Sequence, residues 1–267
     1  MKKIIFAFIL ASGFIFSQND SLKFRLYGES AMPAAHKTFK YSLFENAEYG
    51  INNKLSITAH PIMIFISPSI TLKYNFYNKE KITVSSLHGI NYPTQLMNLI
   101  KNEGTGGFIS PEFNIPQLFS IANSVIATLQ LSENNFISSG LGIEFALNNS
   151  KLKPGTSVDM PLILARSMVY YKNVEFNFKV LSEGKLFKDL DYYLKSEIFL
   201  FPFNDNEYDY EYQLTDNNFF WEFSGIAFLN LTNTFKLGLG TKLLYGTYPF
   251  GTQWHLLPFI DFVKYCE

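Results

Sequence analysis

Residues 70–76 read Ile70-Thr71-Leu72-Lys73-Tyr74-Asn75-Phe76, apolar or aromatic at every even position and polar at every odd one. Successive side chains of an extended strand point to opposite faces, so this stretch builds one oily face and one polar face. The same alternation returns in Leu22-Lys23-Phe24-Arg25-Leu26, in Leu141-Gly142-Ile143-Glu144-Phe145-Ala146-Leu147, in Val174-Glu175-Phe176-Asn177-Phe178-Lys179-Val180 and in Phe235-Lys236-Leu237-Gly238-Leu239-Gly240. After the first twenty residues no apolar run reaches the length of ~20 residues that a membrane-spanning helix needs.

Turn signals separate these segments: Asn52-Asn53, Asn78-Lys79-Glu80, Ser132-Glu133-Asn134, Lys172-Asn173, Asn204-Asp205-Asn206 and Thr232-Asn233. Longer connections fall at 30–39, 90–112, 148–159, 183–189 and 246–253. Strands are expected over 21–29, 40–50, 54–65, 69–77, 81–89, 113–131, 135–147, 160–171, 174–182, 190–202, 207–214, 219–230, 234–245 and 254–265. The break at Pro68 and the acidic run from Glu207 to Tyr212 are the weakest assignments, so the count is twelve to fourteen. An even number of strands with tight turns on the side of both termini is the layout of an antiparallel membrane barrel. Pro61, Pro116, Pro202 and Pro258 lie in or beside these strands, where a closed sheet has no edge to absorb a missing N–H.

The chain begins Met1-Lys2-Lys3, runs apolar from Ile4 to Phe16, and reaches the small residue Ser17 before Gln18-Asn19-Asp20. That order is the layout of a cleaved secretory signal, which makes 1–17 a signal peptide and 18–267 a single mature domain. Cys266 is the sole cysteine, so packing or a closed hydrogen-bonded framework must stabilise the exported chain. With 22 basic and 23 acidic residues, the charge balance gives no support for a nucleic-acid partner. Aromatics make up 17% of the residues, including 28 Phe and 16 Tyr.

The alternating Tyr- and Phe-rich segments, the signal peptide and the turn at Glu48-Tyr49-Gly50-Ile51-Asn52-Asn53 resemble a Gram-negative outer-membrane β-barrel. The resemblance implies an all-β transmembrane antiparallel barrel, porin-like in architecture only, with outer-membrane lipids, lipopolysaccharide and the insertion machinery as its partners. Such barrels end on an aromatic residue, whereas this chain ends Tyr265-Cys266-Glu267. In that fold the polar positions Lys23, Arg25, Lys73, Glu144, Glu175, Lys179, Lys195, Glu197, Glu222, Lys236 and Lys242 line the lumen, seven basic and four acidic. The resemblance implies no specific activity; the function expected of such a lumen is passive passage or binding of small polar solutes, or a structural role in the envelope. A soluble periplasmic β-barrel binding protein is one alternative, with the oily face turned inward.

A second alternative is an outer-membrane lipid hydrolase of phospholipase or lipid A deacylase type. Ser86 and His88, two residues apart on one strand face, are its only nominees. By strand rise they stand about 6–7 Å apart, beyond hydrogen-bond reach, which points to a partner on a neighbouring strand. The histidines lack paired-ligand spacing and the single cysteine excludes a Cys-rich site, so neither metal nor cofactor is expected. The acidic residues Asp205 to Asp216 read as a solvated rim. Pro93 to Gly104 alone has a helical period, with Leu96, Leu99 and Ile100 on one face. The glycines Gly104, Gly106 and Gly107 that follow form a hinge that folds this helix into or over a barrel mouth.

Overall fold

The alternating stretch at Ile70 lies in β4 (Ser69–Lys79), where Lys73 and Asn75 are buried while Leu72, Tyr74 and Phe76 are 41%, 45% and 54% exposed. Polar side chains therefore point in and apolar ones out, the reverse of a water-soluble barrel. The soluble binding-protein alternative fails on this orientation. The computed structural model describes residues 26–101, 109–150, 169–201, 219–248 and 251–266.

The remaining strands are β1 (Phe39–Ser42), β2 (Ala47–Asn52), β3 (Leu55–Ala59), β5 (Ile82–Asn91), β6 (Leu118–Ser132), β7 (Asn135–Asn148), β8 (Val174–Phe187), β9 (Leu190–Leu200), β10 (Phe219–Thr232), β11 (Phe235–Tyr248) and β12 (Gly251–Cys266). Each pairs antiparallel with its sequence neighbour, and β1 pairs with β12 to close a twelve-stranded barrel. Closure gives nearly every backbone group a partner inside the sheet, which a hydrocarbon surrounding demands. Short helices α1 (Thr94–Leu99) and α2 (Val169–Lys172) lie in the connections.

Twelve falls within the expected count, but four of the expected segments differ. The 40–50 segment splits into β1 and β2 around a turn at 43–46, and 54–65 stops as a strand at Ala59 before a 3-10 turn over Met63–Phe65. The described part of 21–29, residues 26–29, is not a strand. The runs 160–168 and 207–214 lie outside the described residues, and 169–172 is helical. Lys172-Asn173 consequently sits at the end opposite the termini, while Lys188-Asp189, expected within a long connection, is a tight turn on the terminal side. Met160 to Tyr171 is apolar without alternation, so its sequence gives no register to exclude a helix.

The wall is uneven. Strands β1, β2 and β3 have 4, 6 and 5 residues, whereas β6, β7 and β12 have 15, 14 and 16. β1 therefore meets β12 only from Phe39↔Cys266 to Ser42↔Val263, and above Val263 the edge of β12 away from β11 has no strand beside it among the described residues. Pro258 belongs to that edge. Tyr265 N–H donates to Thr234 O, and the β11–β12 register runs without a shift, so odd residues of β12 point their backbone groups at β11 and even ones at the edge. The missing N–H of Pro258 removes no ladder bond. Pro61 and Pro116 lie outside strands, and Pro202 is not among the described residues.

Candidate functional site: the lumen and the lipid-facing wall

Two inner structures close the lumen. Residues 26–38 thread through its turn-side end, hydrogen-bonded to seven of the strands. Glu183 of β8 accepts from Tyr27 N (2.7 Å) and Gly28 N (3.0 Å), and Asp261 of β12 accepts from the Tyr27 hydroxyl (2.8 Å). The Tyr27 ring packs on Tyr193 of β9 and Phe228 of β10, with centroids at 4.9 and 4.4 Å. Further along, Ala31 N donates to Thr128 of β6 (2.8 Å), Ala31 O accepts from Ser85 of β5, Met32 O accepts from Lys73 Nζ of β4 (3.2 Å), and Ala34 N donates to Glu48 of β2 (3.2 Å). Only glycine fits at 28, because a Cβ there would overlap the Tyr193 ring.

The loop-side mouth is filled by an apolar cluster. Leu96 and Met97 of α1 join Ile109, Ile115, Val169 and Tyr170 against the inward-facing Leu118, Ala146, Phe199 and Phe220 of four strands. Sequence periodicity located this helix. The hinge glycines Gly104, Gly106 and Gly107 lie outside the described residues. The expected closure by 90–112 therefore omits the chain's own residues 26–38, which the sequence assigns to the end of a strand and a long connection.

Of the expected lumen residues, Lys73, Glu175, Lys179, Glu197, Glu222, Lys236 and Lys242 are all buried among the inward-facing positions. Lys195 stands beside Glu197 on the same face, and Glu144 pairs in register directly across from Glu175. Lys23 and Arg25 fall outside the described residues. Ion pairs join Lys73 to Glu48 (2.8 Å), Lys236 to Asp191 (2.8 Å), Lys195 to Glu197 (2.9 Å), Lys242 to Glu45 (2.9 Å) and Lys179 to Glu29. The acceptors Glu29, Glu45, Glu48 and Asp191 were missed at the sequence level, since none lies on a clearly alternating segment. Glu144 is held by Asn91 Nδ2 (2.9 Å) and the Ser120 hydroxyl.

These inner charges are not all dry. The side chains of Glu29, Glu45 and Lys195 are 43%, 34% and 21% exposed although their partners line the inner wall. Water therefore reaches part of the charged interior at these positions.

Ser86 and His88 lie on the other face of the wall. His88 is exposed and Ser86 half-buried on β5, among outward-facing Leu72, Val125 and Leu141. The Ser86 hydroxyl is 3.1 Å from His88 Nε2, closer than backbone spacing implies because the imidazole leans back along its strand. His88 Nδ1 is 2.8 Å from Asn123 Oδ1, the cross-strand partner on β6. Asn123 was not nominated from sequence, where nothing relates it to His88.

No family model matches the chain, and no curated protein matches it. Among solved structures it is similar to the NanC porin, at 9% identity over 85% of this chain and 96% of that one, with a TM-score of 0.48. It is also similar to an outer-membrane channel from Pseudomonas putida F1, at 8% identity over 91% and 100% with a TM-score of 0.44. The outer-membrane channel DcaP of Acinetobacter baumannii has 10% identity over 85% and 61% with a TM-score of 0.39. Identity this low provides no residue-by-residue correspondence. On its own architecture, this chain is a closed, all-antiparallel, twelve-stranded β-barrel of the membrane type, apolar outside and charged within.

Proposed function

We propose that the chain is exported by residues 1–17, inserts into the bacterial outer membrane, and uses its inner chamber to bind or pass small polar solutes. The supporting observation is the set of charged side chains, Glu29, Glu45 and Lys195, that are ion-paired with inner-wall residues and remain partly exposed. Acidic and basic groups are mixed around this chamber, so it suits a small zwitterion or neutral polar solute better than a polyanion. Lipopolysaccharide and membrane lipid would surround the apolar wall, and the envelope's insertion machinery would assemble it.

The threaded segment is the gate in this reading. Because it is held by hydrogen bonds to the wall and not by strand pairing, its displacement leaves the sheet intact. In planar bilayers the mature chain, 18–267, is expected to show rare, small conductance steps. Deleting residues 18–35, with folding checked by heat-modifiable migration, is expected to raise conductance at least several-fold. A folded deletion variant that stays silent would contradict the passage function.

A further inference from the structure

The outward face of β5 and β6 carries three neighbouring polar side chains, Ser86 and His88 on β5 and Asn123 on β6, where the surrounding wall is apolar. A hydroxyl, an imidazole and a carboxamide facing hydrocarbon are costly, and polar groups at such depth mark a functional site by default. We infer that Ser86, His88 and Asn123 form a serine-hydrolase site that cleaves acyl esters presented by membrane lipid.

The geometry fixes the proton positions. Asn123 Oδ1 can only accept, so His88 Nδ1 carries the proton of the 2.8 Å bond. His88 Nε2 is then the free base, 3.1 Å from the Ser86 hydroxyl, in the distance range of a nucleophile and its base. Asn123 is the positioning residue that fixes the tautomer, the part played by the third member of a hydrolytic triad. On β4, Tyr74 stands directly opposite Ser86, and this register nominates its hydroxyl as the donor to the developing oxyanion.

The location selects the substrate class. Val125 and Leu141 lie in register beside Ser86 and Leu72 beside His88, so an acyl chain in the bilayer can lie along the wall. β5 ends at Asn91 and β4 begins at Ser69, which puts His88 roughly 10 Å by strand rise from the loop-side end of the wall. That is near the depth at which lipid ester groups meet water. Here the wall is lower than at β6 or β7, and the interface comes to the triad.

The reaction balances with water alone. Ser86 Oγ bonds to the ester carbonyl carbon as His88 Nε2 takes the hydroxyl proton. The carbon–oxygen bond to the alcohol then breaks, and His88 returns the proton to the departing lysolipid oxygen. Water, deprotonated by His88, attacks the acyl-serine, which releases a fatty acid and restores the Ser86 hydroxyl. Ester and water become alcohol and carboxylic acid.

The test uses the full mature chain in detergent micelles with a fluorophosphonate probe, followed by fatty-acid release from phosphatidylethanolamine vesicles. The wild type is expected to carry the probe on Ser86 and to release fatty acid. Ser86→Ala is expected to lose both, His88→Ala to fall at least about 100-fold, and Tyr74→Phe to lose fatty-acid release more than labelling. Asn123→Ala is expected to fall as His88→Ala does, and Asn123→Asp, which keeps the acceptor, to restore labelling where a purely structural contact would not. Heat-modifiable migration verifies folding of each variant. An unlabelled Ser86 in a folded wild type, or labelling that survives His88→Ala and Asn123→Ala unchanged, would overturn the assignment and leave three polar groups that merely satisfy one another.

Discussion

Asp261 shows how one carboxylate can hold a barrel closed where its strands run out. It is fully buried and accepts from the Ser42 hydroxyl (2.6 Å), Leu43 N (3.0 Å), Phe44 N (3.3 Å), Phe262 N (2.8 Å) and the Tyr27 hydroxyl (2.8 Å). Four of these five donors belong to β1, the turn after it, or the threaded segment, so the group ties the short β1 to the unpaired edge of β12. A hydrogen bond to a charged group contributes roughly 1.5–3 kcal/mol, and loss of the acceptor strands its buried donors. Asp261→Ala is therefore expected to destabilise the barrel by at least about 3 kcal/mol, read as a lower temperature for loss of compact gel migration. Ser42→Ala removes one of the five donors and should cost far less. None of this was legible in the sequence: Asp261 is a single carboxylate in the non-alternating run Phe259-Ile260-Asp261-Phe262-Val263, and its donors on β1, the turn after it and the threaded segment are all distant in sequence.

At the scale of elements, the legible parts were those whose period repeats over many residues. Strands β4, β7 and β11 contain the alternating stretches 70–76, 141–147 and 235–240, and with β5 and β10 they begin and end close to where their turn residues place them. α1 was legible for the same reason, since Leu96 and Ile100 recur at helical spacing. The 40–50 segment was not, because its apolar positions continue through 43–46 and only tertiary bonds to Asp261 turn the chain back. The N-terminal segment was read as a strand, as Leu22 to Leu26 alternates, yet from Leu26 onward it is bound by wall side chains at every step. The mouth cluster follows ordinary packing rules: Leu96→Ala should remove about 2–5 kcal/mol of stabilisation. Protease cleavage within 102–108 should rise accordingly, while the compact gel migration of the barrel persists. Cleavage unchanged from wild type would mean that α1 does not hold the mouth.

At the scale of the molecule, inside and outside are set by one choice of parity repeated around twelve strands. The inner face holds the charges and fills its volume by setting large against small: Gly238 leaves room for the ring of Phe228, and Gly246 for that of Phe220. The outer face ends in aromatic residues at the loop side, where Trp221, Tyr245 and Trp254 pack together with centroids 5.7 and 4.4 Å apart. Such a ring belongs at a membrane interface, and Leu141, Leu239 and Leu256, 66%, 57% and 66% exposed, have no other physical reason to face outward. The polar exception, Ser86 with His88 and Asn123, gains its meaning from that background. The most direct measurement places single cysteines along β7 at 137, 139, 141 and 145 and at 138, 140 and 142, in a Cys266→Ser background reconstituted in brominated-lipid vesicles. Fluorophores at the odd positions should be strongly quenched by the lipid and those at the even positions should not. Equal quenching at both sets, or stronger quenching at the even set, would contradict a barrel that turns this face to the membrane.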